Sequence, residues 1–388
     1  NERRLMSDCA NMVDKTFTEK SAGGLQSMVI NFADAFNAKT EYFYFNNVAL
    51  KITPDSIRTV SYDDINFFIP SLAKKPYDFT MRVFKAPFTI TERQEYRDRL
   101  EAIDKKEKMQ NEDGSPVFSY DEIKRMRGDL MEWAQTYRWD VDWHGQQEKD
   151  LWPILRIVRG FSNVLWEREK EALRNKEQLT EDEKAVMNAH FANMLSCIGR
   201  LCFRSWEGMK NIAPYLLEDN IADEKQAAGG SGKSALVNTV VGSAVNVLAV
   251  DMKDFMIITD AKFALTDLLL YPGMYRVVHW EDKQKSFPMK YFYNKVTQGT
   301  KVEKKFGDPV GLKMDDSPIH VITSNSPLSD DDPSTIGRFP LVSFSDRFAR
   351  ENQQKRQPER SPAELMKNYD PNPEKLPDTD RNQAIYIC

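Results

Sequence analysis

The run GGSGKS, residues 229–234, puts three glycines, two serines and a lysine into one short loop. That combination suits a polyphosphate. Glycines let successive backbone amides turn inward with no side chain in the way. Lys233 would carry its charge to the β- and γ-phosphates, and the Ser234 hydroxyl would hold Mg²⁺. The full pattern G-x-x-x-x-G-K-[ST] begins with a glycine where this chain has Ala227; Gly229 and Gly230 make up part of that loss. Gly229, Gly230, Ser231, Gly232, Lys233, Ser234 and Ala235 are therefore the candidate nucleotide-binding residues, with ATP and Mg²⁺ as the implied ligands.

Such a site needs an acidic strand beside it. YRVVHWED is an apolar run ending on Glu281 and Asp282. The first acid at a strand end orders the Mg²⁺ shell and the next orients the attacking water; Glu281 and Asp282 take those roles in that order. The second acid is more often the longer Glu, which keeps the water-orienting role of Asp282 open. SPIHVITSN ends a further strand on Asn325, a side chain able to bond the γ-phosphate or the water. Arg338 stands just before another apolar strand, beyond the expected ligand-binding end of the sheet, where one subunit's guanidinium could reach the next subunit's γ-phosphate. Arg347 is the fallback for that role.

The chain has 388 residues and a formal net charge of −5, so a nucleic-acid site must be a local patch. Residues 283–313 supply one: eight lysines against Glu303 and Asp308, a local excess of six positive charges. TQGTKVEKKFGD in its middle reads as a hairpin with Lys301, Lys304 and Lys305 near the tip and Phe306 beside them, able to stack on a base or sugar. A solvated lysine-rich loop is the plain alternative.

These residues need a scaffold. NIAPYLLED reads as a buried strand ahead of the glycine loop and a helix follows it. Apolar strands at FMIIT, YRVVHWE, PIHVITSN and FPLVSF alternate with helices, which implies a mostly parallel sheet covered on both faces. Upstream, helices are expected within residues 12–38. YFYFNNVALKIT predicts a hairpin, with strands at residues 42–45 and 48–53 around Asn46 and Asn47. Thr91 with Gln94, Ser119 with Glu122 and Thr180 with Glu183 form three capping boxes, opening helices at 92–109, 120–137 and 181–204. LWPILRIVRGFSNVLWEREKEAL predicts another helix, broken near Gly160. The last forty residues, rich in Pro and charge, read as an extended arm. Cys197 and Cys202 read as buried thiols. No run of 18 apolar residues suggests a membrane span, and both ends look cut.

GGSGKS, VVHWED, QGTKVEKK and HVITSN, in this order and this compressed, resemble the superfamily 3 helicases. Within that family the chain looks most like the poxvirus-type primase-helicases and their relatives in phages and mobile elements, on SCIGRLCFR, the strand after it and the form of the loop. The resemblance covers residues 206–347. It implies an α/β P-loop ATPase domain, AAA+-like with a mostly parallel central sheet, preceded by a mainly helical region with a small β-hairpin. It implies 1–80 as an N-terminal helical region, 81–205 as an oligomerisation collar and 348–388 as the arm. It further implies a DNA helicase moving 3′→5′ on single-stranded DNA as a homo-oligomeric ring, a hexamer, alongside a primase domain or replication proteins, in the cytoplasm of a bacterial cell or an infected host. The matching hairpin in the family grips DNA, which points to Lys301, Lys304 and Lys305; Lys304 and Lys305 compete for one family position. Two other classes stay open: an ATP-dependent DNA-binding assembly protein with weak turnover, and a P-loop kinase.

Overall fold

The computed structural model describes residues 40–53, 56–65, 73–81, 87–145, 151–203, 212–219, 230–270, 274–304, 307–312, 317–328, 333–354, 376 and 378–388. The helices expected within residues 12–38 lie outside them, as do Gly229, Lys305 and Phe306.

The first described elements are β1 (Glu41–Tyr44) and β2 (Ala49–Thr53), the expected hairpin, joined by β3 (Ser56–Val60) into an antiparallel meander. Its inner face carries Phe43, Phe45 and Leu50 into the core of the protein. The Thr91 capping box does not form. Thr91 lies inside β4 (Thr89–Glu92), and helix α1 (Gln94–Glu107) starts without a side-chain cap. β4 pairs with β5 (Trp139–Asp142), which follows helix α2 (Tyr120–Tyr137), so a ladder between distant segments overrides the local signal. The Ser119–Glu122 box does cap α2.

Helix α3 (Pro153–Ser162) runs straight through Gly160, and the break falls at 163–165 before α4 (Trp166–Asn175). Gly160 serves packing instead: an added Cβ would sit 2.7 Å from the Phe348 ring. The Thr180–Glu183 box caps the long helix α5 (Glu181–Cys202), where Cys197 and Cys202 are buried thiols.

Five parallel strands form the centre: β6 (Tyr215–Glu218), β7 (Val247–Asp251), β8 (Val277–Lys283), β11 (Ile319–Ser324) and β12 (Leu341–Phe344), in the order β12-β6-β11-β8-β7. VLAVD forms one edge, β7, and β12 the other. FMIIT is not a strand; Met256, Ile257 and Ile258 are exposed on a loop that ends in a short 3₁₀ turn. After β6 the chain enters α6, built of Lys233–Ala235, a π-helical stretch Leu236–Val241 and Gly242–Ala244. The Ser243 hydroxyl donates to the Thr239 carbonyl at 2.7 Å, satisfying a carbonyl the wide turn displaces. Helices α7 (Asp267–Leu270), α8 (Lys290–Thr297), α9 (Pro333–Arg338) and α10 (Arg347–Gln354) complete this part, with a two-stranded ribbon, β9 (Lys301–Val302) and β10 (Val310–Gly311).

Side chains alternate along the strands and build two cores. Leu216, Val277, Ile319, Val321, Val342 and Phe344 face α3, α5, α6 and the meander. Tyr215, Val250, Val278, Trp280 and Ile322 face α8 and the lysine ribbon. The mainly helical upstream region thus packs directly on one face of the sheet. The chain's end is no extended arm throughout: Asp378–Ile387 forms helix α11, and Ala384 and Ile385 are buried against α3 and α6. Among the described residues no helix is long and apolar enough to cross a membrane.

Candidate nucleotide site

Two glycines shape the loop ahead of α6. Gly230 has φ +75° and Gly232 φ +96°, both in the left-handed region where a side chain is strained. Gly232 is needed for a second reason, since an added Cβ would lie 2.0 Å from Phe161 Cε1. Phe161 ends α3 and packs against Phe344 of β12 and Phe348 of α10. The upstream helices therefore form the floor under the loop.

Lys233 is 6% exposed. Its ammonium donates to Ser231 Oγ and to Asn325 Oδ1, each at 3.0 Å, and lies 4.0 Å from Glu218 Oε2. Burial pushes its pKa down, and the charges of Glu218 and Asp282 oppose that shift. The strand order explains why Lys233 and Asn325 meet. The chain leaves β6 toward β7 at one edge and leaves β11 toward β12 at the other. Right-handed crossovers in opposite directions run over opposite faces, so a crevice opens between the carboxyl ends of β6 and β11, the place where open α/β sheets bind ligands.

The acidic pair closes the next side. Glu281 Oε1 accepts a hydrogen bond from Asn238 Nδ2 of α6 at 2.9 Å. Asp282 has φ +50°, and the pairing with β11 shifts register between Ile322 and Ser324. This bulge turns Asp282 out of the regular ladder to an exposed position whose charge reaches Lys233. Its amide donates to Thr323 Oγ1 at 3.3 Å.

Sequence reasoning missed four residues here: Glu218, Asn238, His279 and Thr323. Glu218 ends the strand ahead of the loop, and His279 interrupts an apolar run, so both carried a signal. His279 has no exposed surface; its Nδ1 lies 2.8 Å from Asn238 Oδ1 and its Nε2 3.2 Å from Thr323 Oγ1. Burial pushes its pKa down to about 3, so the 3.6 Å approach of Nδ1 to Glu281 is not an ion pair at neutral pH.

The opposite face holds a second buried histidine. Trp280 Nε1 donates to His320 Nδ1 at 3.0 Å, which leaves His320 Nε2–H to donate to Thr300 Oγ1 at 2.9 Å. Thr300 immediately precedes β9, so β8, the strand that carries Glu281, is tied to the base of the lysine ribbon. Burial, with the Lys295 charge adding to it, lowers the His320 pKa from 6.5 to about 3. The unfolded chain takes up a proton over that interval which the folded protein refuses. Stability is therefore full above pH 6.5 and falls on acidification, by about 2 kcal/mol at pH 5 from this residue alone. Urea unfolding of wild type and His320→Gln at pH 7 and pH 5 checks this: the variant should lose that part of the pH dependence, and an unchanged slope would refute it.

A two-stranded ribbon forms here, but Lys301 stands at its open end and not near the tip, where the sequence placed it. Val302 pairs with Val310 and Lys301 with Gly311, and Lys301 and Lys304 are exposed. Arg338 is placed otherwise than expected. Its carbonyl accepts from Ala213 ahead of β6, at the amino ends of the strands, whereas Lys233 follows their carboxyl ends. Lys233 and Arg338 of one chain thus lie at opposite ends of the sheet. The Arg338 guanidinium bonds the Ser334 carbonyl and hydroxyl and lies 5.3 Å over the Tyr293 ring. Arg347 follows the carboxyl end of β12, on the Lys233 side.

No family model matches this chain, and no curated protein matches it. Among solved structures it is similar to the apo A form of the NrS-1 C-terminal region, at 12% identity and TM-score 0.34, over 90% of this chain and 66% of that one, just under two thirds. A second structure of that region aligns at 10% identity and TM-score 0.32, over 89% of this chain and 71% of that one.

Proposed function

We propose that this chain is an ATP hydrolase of the superfamily 3 helicase type, which moves along single-stranded DNA as a ring, a hexamer by family resemblance. The observation that carries the reading is the meeting of Lys233 and Asn325 at the crevice between β6 and β11, with the Glu281–Asp282 strand end alongside. The two left-handed glycines and the buried ammonium fit a triphosphate: amides can turn inward where Cβ atoms are absent, and the cation sits beneath. Ser234 and Glu281 are the residues to hold Mg²⁺, which when bound neutralises charge on the β- and γ-oxygens. Asp282 orients water and Asn325 senses the terminal phosphate. Arg338 stands at the far end of the sheet from its own Lys233, so its proposed role is on a neighbouring subunit's nucleotide and not on its own.

The lysine ribbon, with Lys301 and Lys304 exposed, is the DNA contact, and Lys305 and Phe306, next in the sequence, are further candidates for it. The Trp280–His320–Thr300 chain gives it a direct link to the acidic strand. Opening one base-pair step costs about 1.4 kcal/mol on average, a small demand on a hydrolysis cycle.

The test is ATP turnover with and without single-stranded DNA. Wild type should be stimulated. The Lys301→Ala/Lys304→Ala double variant should keep basal turnover and lose most of the stimulation, with a weaker salt dependence of DNA binding. Full stimulation in the double variant would remove the hairpin from the DNA contact. Phosphate transfer to a nucleoside would favour a kinase instead, and tight DNA binding with scarcely any turnover an assembly protein.

A further inference from the structure

A set of hydrogen bonds behind the acidic pair has one direction only. Asn238 presents Nδ2 to Glu281 Oε1 and donates to it at 2.9 Å. Asn238 then presents Oδ1 to His279 Nδ1 at 2.8 Å, and that oxygen can only accept, so Nδ1 carries the imidazole proton. Nε2 of the fully buried ring is then an acceptor, and the Thr323 hydroxyl donates to it at 3.2 Å, a shorter contact than its 3.5 Å approach to the Trp280 carbonyl. The Thr323 oxygen in turn accepts the Asp282 amide. The carboxylate thus fixes the amide, the amide fixes the tautomer, and the chain returns to the backbone of the second acid.

From this geometry we infer that Asn238 is a positioning residue that aims the Glu281 carboxylate, held in its own orientation by His279 and Thr323. Asn238 lies on α6, five residues after Lys233, so the helix that begins at the phosphate loop also holds the acid of the neighbouring strand. Thr323 lies on β11, two residues before Asn325, so the strand that touches Lys233 also ends the chain of bonds. Displacement of Asn325 would therefore be felt at Glu281. The inference rests on the ATP-hydrolase reading of the same site.

The experiment has two arms. Histidine-labelled ¹⁵N NMR of the nucleotide-free full chain reads the tautomer: His279 should be Nδ1–H in wild type, remain so in Asn238→Asp, which keeps the acceptor, and lose that preference in Asn238→Leu. An Nε2–H ring in wild type would overturn the proposal. In the second arm, Asn238→Leu should lower kcat by about 10–100-fold with the KM for ATP changed less than about threefold. Asn238→Asp, nearly isosteric and folded by the same NMR criterion, should lose at least as much, because a carboxylate then faces Glu281. A kcat within twofold of wild type in both variants overturns this inference alone. No hydrolysis by wild type, with the Nδ1–H tautomer intact, overturns the hydrolase reading and with it the catalytic purpose assigned to Asn238.

Discussion

Lys233→Ala is expected to lower ATP turnover by about 10²–10³-fold, the scale on which losing one preorganised charged or hydrogen-bonding group from a water-poor site acts. The ammonium is buried and already aimed, bonded to Ser231 on the loop and Asn325 on β11. A triphosphate entering the crevice would bring its oxygens to a charge that the loop and β11 already hold in place. Burial holds the lysine below its usual pKa, a sign that the ammonium is poorly solvated. Its removal relieves that desolvation cost but loses two hydrogen bonds and takes the ammonium away from the buried Glu218 carboxylate 4.0 Å from it. The variant should therefore unfold at a lower temperature than wild type, and turnover is compared at a temperature where circular dichroism shows both proteins folded. Lys233→Arg should not rescue, because a planar, longer group does not fit between Ser231 and Asn325. Steady-state phosphate release decides it: turnover of the alanine variant within threefold of wild type would mean that Lys233 does not contact the reacting phosphates.

Much of this site is legible in the amino-acid sequence alone, and the reasons are physical. β6, β8 and β11 are buried on both faces over most of their length, so each appears as an apolar run bounded by polar residues. The glycine loop is legible because the backbone conformation it needs restricts residue type at Gly230 and Gly232. The capping boxes at Ser119 and Thr180 are legible because a cap is a contact between residues three apart. The Thr91 box carries the same pattern and fails, because Thr91 pairs with Asp140 across a ladder closed by a distant segment. FMIIT and VLAVD are similarly apolar, and local sequence does not say that Val247 to Asp251 will find Val277 to Glu281 as partners. Nor does it say that Met256 and Ile257 will face solvent.

Placement of side chains across the sheet is harder still. Adjacent residues of β8 point to opposite faces, so His279 reaches α6 while Trp280 reaches His320 and the ribbon. The parity of the strand is implicit in the sequence, but the face that meets each helix follows from strand order. With β11 inserted between β6 and β8, Asn325 meets Lys233 and Thr323 meets His279. The Arg338 position follows from the same order: a residue before a parallel strand begins lies at the amino end of the sheet, away from the crevice.

Arg276→Ala is expected to destabilise the protein by about 3–5 kcal/mol, because it breaks a buried ion pair from one side. Arg276 precedes β8; its Nη1 and Nη2 donate to the two oxygens of Glu41, at 2.9 and 2.6 Å, with both side chains under a tenth exposed. The pair joins the first residue of the meander to the start of the strand that ends in Glu281 and Asp282. Its backbone is committed as well: the Arg276 amide donates to the Asn246 carbonyl and its carbonyl accepts from Ile319, so the residue seats β8 between its neighbours. Removing the guanidinium takes the bidentate charged partner from a carboxylate that is 4% exposed, while the Tyr42 amide at 3.2 Å is only a neutral donor to it. The cost therefore comes from the partner left behind. On that account Glu41→Leu combined with Arg276→Met should recover most of the loss, since a well-packed apolar pair replaces a buried ion pair at little cost. The four-member cycle, measured by urea unfolding at neutral pH, should give a coupling of the same order as the single-variant loss. Arg276→Ala costing less than about 1 kcal/mol would show that the meander is docked by its aromatic residues alone. Turnover at saturating ATP in the folded double variant should stay near wild type, because the acidic pair lies at the other end of β8 and is held there from α6.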